Sequence, residues 1–184
     1  KAYYSKPFAT MITSRGCPFY CIFCAYARGV CRLRSPENVI GEIEELVKKY
    51  KVKSILFYDD TLTFDKERLI KICDLIIKNN FNLKWTCYSR VNAVSPSLLE
   101  KMKSAGCELI SYGVESGSQR MLNVMKKGIT LEQIEKAIVM TKKAGIKTSA
   151  SYVLGIPGET KDSINQTIEF AKKLNTTFAH FNMI

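Results

Sequence analysis

The chain has 184 residues, 46% of them hydrophobic and 24% charged, a balance that suits one domain with a sizeable buried core. No apolar run approaches the length of a membrane span and no secretory signal is seen, so the seven cysteines are expected as free thiols in a reducing cytoplasm. The net charge of +11 is mostly lysine in or near the last turns of predicted helices (Lys48, Lys49, Lys78, Lys101, Lys103, Lys142, Lys143, Lys172 and Lys173). Cations there complement the helix dipole, and a nucleic-acid partner is not indicated.

Taken in order, Phe8 to Thr13 reads as a buried strand whose C-terminal end delivers Gly16-Cys17-Pro18-Phe19-Tyr20-Cys21-Ile22-Phe23-Cys24. The C-x-x-x-C-x-x-C spacing places three soft, reactive thiols within eight residues, a pattern that calls for an ion or cluster to hold them. Iron-sulfur clusters are commonly held by four cysteines, so three ligands from this loop would leave one iron open to an outside ligand. The alternative is a non-catalytic four-cysteine metal-binding module with Cys31 as fourth ligand. Arg15, Arg28, Arg32 and Arg34 bracket the loop and form a basic group able to attract an anionic substrate or an acidic electron donor.

Ser35-Pro36 is a cap followed by a first-turn proline, and Val39, Ile40, Ile43, Leu46, Val47 and Tyr50 follow at helical spacing. Ser54 to Tyr58 reads as a second strand running into Asp59-Asp60, after which Asp65 caps a helix striped by Leu69, Ile72, Cys73, Ile76 and Ile77. Leu83 to Tyr88 is a third strand ending at Ser89-Arg90, and Ser95-Pro96 opens a helix with Leu98, Leu99 and Met102 that stops at Gly106. Cys107 to Tyr112 is a fourth strand, ending in Gly113-Val114-Glu115-Ser116-Gly117-Ser118. Thr130 and Gln133 fit a capping box ahead of Ile134, Ala137, Ile138 and Thr141, and Gly145 closes that helix. Lys147 to Leu154 is the fifth strand, Thr160 to Leu174 the fifth helix and Thr177 to Ile184 a sixth strand.

This alternation means parallel βαβ units with right-handed crossovers. Six strands fall short of the closed eight-stranded barrel, which typically needs about 250 residues. Residues 1–184 are therefore expected to form a single α/β core domain, and the lysine start and the stop inside a strand suggest a piece of a longer protein. In such a fold the strand-end groups meet at one mouth, which gathers the cysteine loop, Tyr58-Asp59-Asp60, Ser89-Arg90, Gly113 to Gly117 and Gly155 to Glu159. His180 is the single histidine, so no paired-histidine metal site exists in the chain; it is expected either satisfied in the core or lining the cavity.

The cysteine motif with Phe23 before Cys24 resembles the signature of the radical S-adenosylmethionine superfamily, and the resemblance runs through nearly the whole chain. It implies a partial (β/α)6 TIM-type barrel, open on one side. It also implies a 4Fe-4S cluster on Cys17, Cys21 and Cys24 whose open iron chelates S-adenosylmethionine and whose electron splits it to a 5'-deoxyadenosyl radical. Phe23 would pack near the cluster edge. Where the family often carries Gly-Gly-Glu for the methionine ammonium, this chain has Tyr58-Asp59-Asp60, and Asp59 or Asp60 is expected to take that role. Glu115 matches the position that binds the ribose hydroxyls or the methionine portion, and Gly155 to Thr160 resembles the motif beside adenine. Arg90 is expected either to pair with Asp59 or Asp60 or to touch the cofactor carboxylate.

Within the superfamily, Asp59-Asp60, Arg90, Gly113 to Gly117 and Pro157 to Thr160 look most like the subgroup with a cobalamin-binding domain before the core, which includes methyltransferases and oxidative ring cyclases. Cobalamin would come through a domain outside these residues. Methylthiotransferases that modify RNA or protein share parts of the same pattern. The implied partners are a small-molecule substrate and a reducing protein such as a flavodoxin or ferredoxin, with no membrane.

Overall fold

Parallel strands need long crossovers, and the helices that supply them here begin where the sequence places a cap. The computed structural model describes residues 6–25 and 29–184, so Arg28 lies outside the described residues. In chain order the elements are β1 (Phe8–Met11), β2 (Ser14–Arg15), β3 (Arg32–Leu33), α1 (Pro36–Lys48), β4 (Ser54–Phe57), α2 (Lys66–Lys78) and β5 (Lys84–Ser89). There follow α3 (Pro96–Ser104), β6 (Cys107–Glu115), α4 (Gln119–Val124), α5 (Leu131–Lys143), β7 (Lys147–Leu154), α6 (Lys161–Leu174) and β8 (Phe178–Met183). The side chains of Ser35, Asp65, Ser95, Thr130 and Thr160 each accept from the third helical amide of α1, α2, α3, α5 and α6. Each cap contributes about 0.5–2 kcal/mol and fixes where the chain leaves the preceding loop.

Six strands form one parallel sheet in the order β1-β4-β5-β6-β7-β8, while β2 and β3 pair antiparallel in a separate ribbon. β1 and β8 are not hydrogen-bonded to each other, so the sheet is an open, partial barrel with helices on its outer face. Ile55, Phe57, Trp85, Cys87, Cys107 and Tyr112 are buried in the core, with Trp85 Nε1 donating to the Ala105 carbonyl at 2.8 Å. Tyr112 and Thr141 share a hydroxyl hydrogen bond of 2.8 Å that ties β6 to α5. Burial falls off at the last strand, where Ala179 to Met183 are all exposed.

Several expectations are corrected here. Tyr50 is exposed and lies past the end of α1, whose C-cap is Lys49, and Lys51 with φ of 55° then turns the chain away. Ile77 is likewise exposed, one position round from the face of α2 that Ile76 buries. The ribbon β2–β3 and the short α4 were not legible: two-residue strands and a six-residue helix are too brief to show a period. β6 runs on to Glu115, through a register shift between Gly113 and Glu115.

All seven cysteines are free. Burial pushes the Cys73 thiol up to about 12 and raises Cys107 well above its ordinary value, so both are apolar filling and not nucleophiles.

Candidate functional site

The cysteine loop between β2 and β3 and the C-terminal halves of β4 to β8 enclose a cavity of about 550 Å³. The loop has little regular structure of its own. Its amide at Ile22 donates to the Met125 carbonyl at 3.0 Å, and Gly29 N donates to Cys17 O at 2.9 Å. Gly16 has φ of 94° and a Cβ there would collide with the Val30 carbonyl, so only glycine lets the ribbon close behind Cys17. Phe23 packs on Met121, Met125, Val153 and Ile156, which seats the loop on α4 and the end of β7.

Cys17, Cys21 and Cys24 all line the cavity, whereas Cys31 does not; its Sγ contacts the Gly16 carbonyl at 3.4 Å, on the ribbon. Among the described residues no three Cys, His, Asp or Glu side chains are gathered as a single ion would need. A cubane takes each thiolate on a different iron, so its ligands need not converge on a point. Arg90 brings positive charge to the loop: its Nη1 is 3.5 Å from Cys21 Sγ, its guanidinium lies 3.7 Å from the centre of the Phe19 ring, and Nη2 donates to the Lys127 carbonyl. Arg90 makes no ion pair with Asp59 or Asp60.

The two carboxylates after β4 have different surroundings. Asp59 is 1% exposed and accepts from Thr13 N at 3.2 Å, Thr13 Oγ1 at 2.9 Å and the Ser14 hydroxyl, so it fastens β1 and β2 to β4. Asp60 lines the cavity with no hydrogen bond to its carboxylate among the described residues. Burial first, and then the charge of Asp59, pushes the Asp60 carboxyl above its ordinary value.

At the end of β6, Glu115 has φ of 71° and pairs with Lys127 at 2.7 Å, their side chains only 9% and 7% exposed. A Cβ at Gly113 would strike the Glu115 carboxylate and Lys127 Nζ, so this glycine makes room for the pair. Lys127 also lies 5.7 Å from the centre of the Phe23 ring. Sequence reasoning missed Lys127: it stands in the Lys126-Lys127-Gly128 turn after α4, and no periodicity aims it at the strand end.

Across the cavity the inner positions of β6, β7 and β8 carry Ser111, Ser149, Ser151, His180 and Asn182. Their spacing of two residues was the available signal, an alternation of small polar and large apolar side chains along β6 and β7. Tyr58 and Tyr88 also line the cavity and meet edge-to-face at 5.5 Å. Gly155 is not among the cavity residues; its φ is 93°, its amide donates to Glu159 Oε2 at 2.6 Å, and its open side faces the Ile184 carbonyl. The other oxygen of Glu159 is buried without a partner among the described residues.

An open parallel barrel with three cysteines from one loop at its mouth defines a class of cluster-binding enzyme. Residues 11–171 match the Radical SAM superfamily, and the chain belongs to it. It is 39% identical over 180 residues to an uncharacterized methyltransferase of Pyrococcus horikoshii, covering 96% of this chain and 39% of that protein. It is 32% identical to the anaerobic magnesium-protoporphyrin IX monomethyl ester cyclase of Rubrivivax gelatinosus, over 92% of this chain and 31% of the cyclase. Among solved structures, the radical S-adenosylmethionine methyltransferase TsrM of Kitasatospora setae, with cobalamin and a [4Fe-4S] cluster bound, matches the fold. The TM-score is 0.87 at 20% identity, over 96% of this chain and 34% of TsrM. The chain thus spans well under half the length of these proteins.

The residues present fit the cofactors of the superfamily. Three thiols share one cavity with the Arg90 guanidinium, and the cavity holds an unbonded carboxylate at Asp60 for a cation. The Glu115–Lys127 pair adds a carboxylate and an ammonium on the facing wall.

Proposed function

We propose that this domain binds a 4Fe-4S cluster through Cys17, Cys21 and Cys24 and cleaves S-adenosylmethionine reductively, for a methyl transfer or an oxidative rearrangement in an enzyme that also uses cobalamin. The observation that carries the reading is the division of the thiols, three on the cavity with the strand-end charges and Cys31 outside it. When bound, the cluster supplies the electron that breaks the sulfonium bond and yields the 5'-deoxyadenosyl radical. The chain's own groups bind and orient. Asp60 takes the methionine ammonium, because the carboxylate of Asp59 is already engaged by Thr13 and Ser14. Glu115 keeps Oε2 for the ribose hydroxyls while Oε1 holds Lys127, and Arg90 sets the charge at Cys21. The cobalamin component is supported by the shared fold with TsrM and by the sequence pattern at the strand ends.

Seven free thiols suit a reducing compartment, and among the described residues no helix is long and apolar enough to cross a membrane. The test is anaerobic reconstitution with iron and sulfide, then dithionite and S-adenosylmethionine, with 5'-deoxyadenosine read by mass spectrometry. The nucleoside should form, and replacing Cys17, Cys21 or Cys24 with alanine should abolish both iron retention and its formation. Cys31→Ser should keep both. Loss of iron in Cys31→Ser would overturn the ligand assignment.

A further inference from the structure

The cluster side of the domain has an outer face as well as an inner one. Behind Cys17 lies the β2–β3 ribbon, in which Arg15 stands directly opposite Arg32 in the antiparallel register. Like charges so placed repel unless something anionic lies over them. Both arginines are exposed, and neither has a hydrogen bond or ion pair among the described residues. Five helix lysines, Lys48, Lys49, Lys101, Lys172 and Lys173, each hold an acid; what sets Arg15 and Arg32 apart is that the two cations face each other in one register pair. In the sequence no Asp or Glu precedes Glu37, although six basic residues do.

The same surface is apolar between its charges. A shallow groove of about 420 Å³ is lined by Ile12, Ser14, Arg15, Arg32, Leu33 and Arg34. Ile12 and Leu33 are 43% and 40% exposed, and Val30 at the base of the ribbon is 78% exposed. Exposed apolar side chains gathered within a charged rim mark a protein-binding surface. Nucleic acid would instead call for a longer array of phosphate-directed cations than two free arginines.

We infer that this ribbon face is the docking surface for a small acidic electron-carrier protein, which the groove receives by charge complementarity with Arg15 and Arg32. The inference rests on the cluster assignment proposed above. One electron leaves the partner's flavin or iron-sulfur group and enters the cluster on Cys17, Cys21 and Cys24; no bond forms or breaks in the transfer. The ribbon is well placed for it, because Gly16 and Gly29 join it directly to Cys17 through the Gly29 N to Cys17 O hydrogen bond. Substrate can meanwhile occupy the cavity, which shares no lining residue with the groove.

The test uses the reconstituted protein and a flavodoxin as probe. Binding of oxidised flavodoxin is measured by calorimetry at low and high salt, and reduction of the cluster by the flavodoxin hydroquinone anion, which becomes the neutral semiquinone, is followed by loss of cluster absorbance. Charge steering predicts affinity at least tenfold weaker at high salt. Arg15→Glu with Arg32→Glu should lower both affinity and flavodoxin-driven reduction at least tenfold, and leave reduction by photoreduced 5-deazariboflavin within twofold. Leu33→Ser should weaken binding without changing its salt dependence. The control Lys48→Glu with Lys172→Glu, which removes the same net charge elsewhere, should stay within threefold of the parent. Equal flavodoxin affinity in parent and Arg15→Glu/Arg32→Glu proteins overturns the inference, as does transfer RNA binding there in place of flavodoxin. Failure of the cluster assignment shows differently, as absent iron, and flavodoxin binding to the apoprotein, measured by the same calorimetry, then reads the docking surface alone.

Discussion

On the side of the cavity built by β1, β4, β5 and β6, the facing groups are bound to one another: Asp59 to Thr13 and Ser14, Arg90 to the Lys127 carbonyl, Lys127 to Glu115. On the side built by β7 and β8, Ser151 reaches the Tyr112 carbonyl only at 3.4 Å and Asn182 the Tyr152 carbonyl only at 3.4 Å. The Ser149 hydroxyl and the His180 ring have no hydrogen bond among the described residues. The first side is preorganised, with these charges held in place before a ligand arrives and the Asp60 carboxylate left unbonded among the described residues, as a site for one fixed charged molecule should be. The second is a row of small dipoles that can re-orient around different molecules. A ligand buried there without hydrogen-bonding groups would leave those hydroxyls unpaired, which costs binding.

The difference should appear in a mutation series. Lys127→Met strands the Glu115 carboxylate in a buried site and should cost about 3–5 kcal/mol in urea unfolding, with much of it restored by adding Glu115→Gln. A loss below about 1 kcal/mol would mean that the pair is not closed off from water.

The next largest effect separates two neighbours. Asp59→Asn leaves bonds of Thr13 and Ser14 without their charged acceptor and should cost about 1.5–3 kcal/mol, whereas Asp60→Asn should cost no stability. The sign for Asp60 follows from its environment. A carboxyl whose folded pKa is raised binds its proton more tightly in the folded state, so its ionised form opposes folding above that pKa and ceases to do so below the unfolded value. Asp60→Asn should therefore stabilise slightly at pH 7, a gain that fades as the pH is lowered through the carboxylate range. The same substitution should weaken S-adenosylmethionine roughly ten- to a hundredfold in equilibrium binding, the loss of one charge-assisted hydrogen bond. Unaltered affinity would move the ammonium contact to backbone or to Glu115.

Smallest of all, Ser149→Ala and His180→Ala should each change stability by less than about 0.5 kcal/mol, because neither side chain has a bond to lose. A larger loss in either would show that the second side is wired after all.

The helix caps and the parallel strands were readable because each is set by a few neighbouring residues: Lys147 to Leu154 is a strand within its expected bounds, and Thr130 and Gln133 make the capping box they spell. The cysteine loop was readable for the same reason. Lys127 was not, since its partner is set by how the chain turns after α4 and not by spacing. Nor could the sequence tell Asp59 from Asp60. Which of two adjacent carboxylates turns inward depends on where β4 lets the chain go, and that is decided by Thr13 and Ser14, where the chain passes from β1 into β2.

The docking of the cysteine loop has a consequence for how such a domain is made. Its anchor, the hydrogen bond from Ile22 to Met125, joins residues about a hundred positions apart. At the usual pace of translation, about 5–20 residues per second, the thiols leave the ribosome on the order of 5–20 s before the segment that will hold them. For that interval they are ordinary reactive cysteines, open to air and to stray metal. Iron loading thus belongs after folding of the β6–α4 region, and expression under oxygen should yield chains whose barrel is sound but whose loop has already been oxidised.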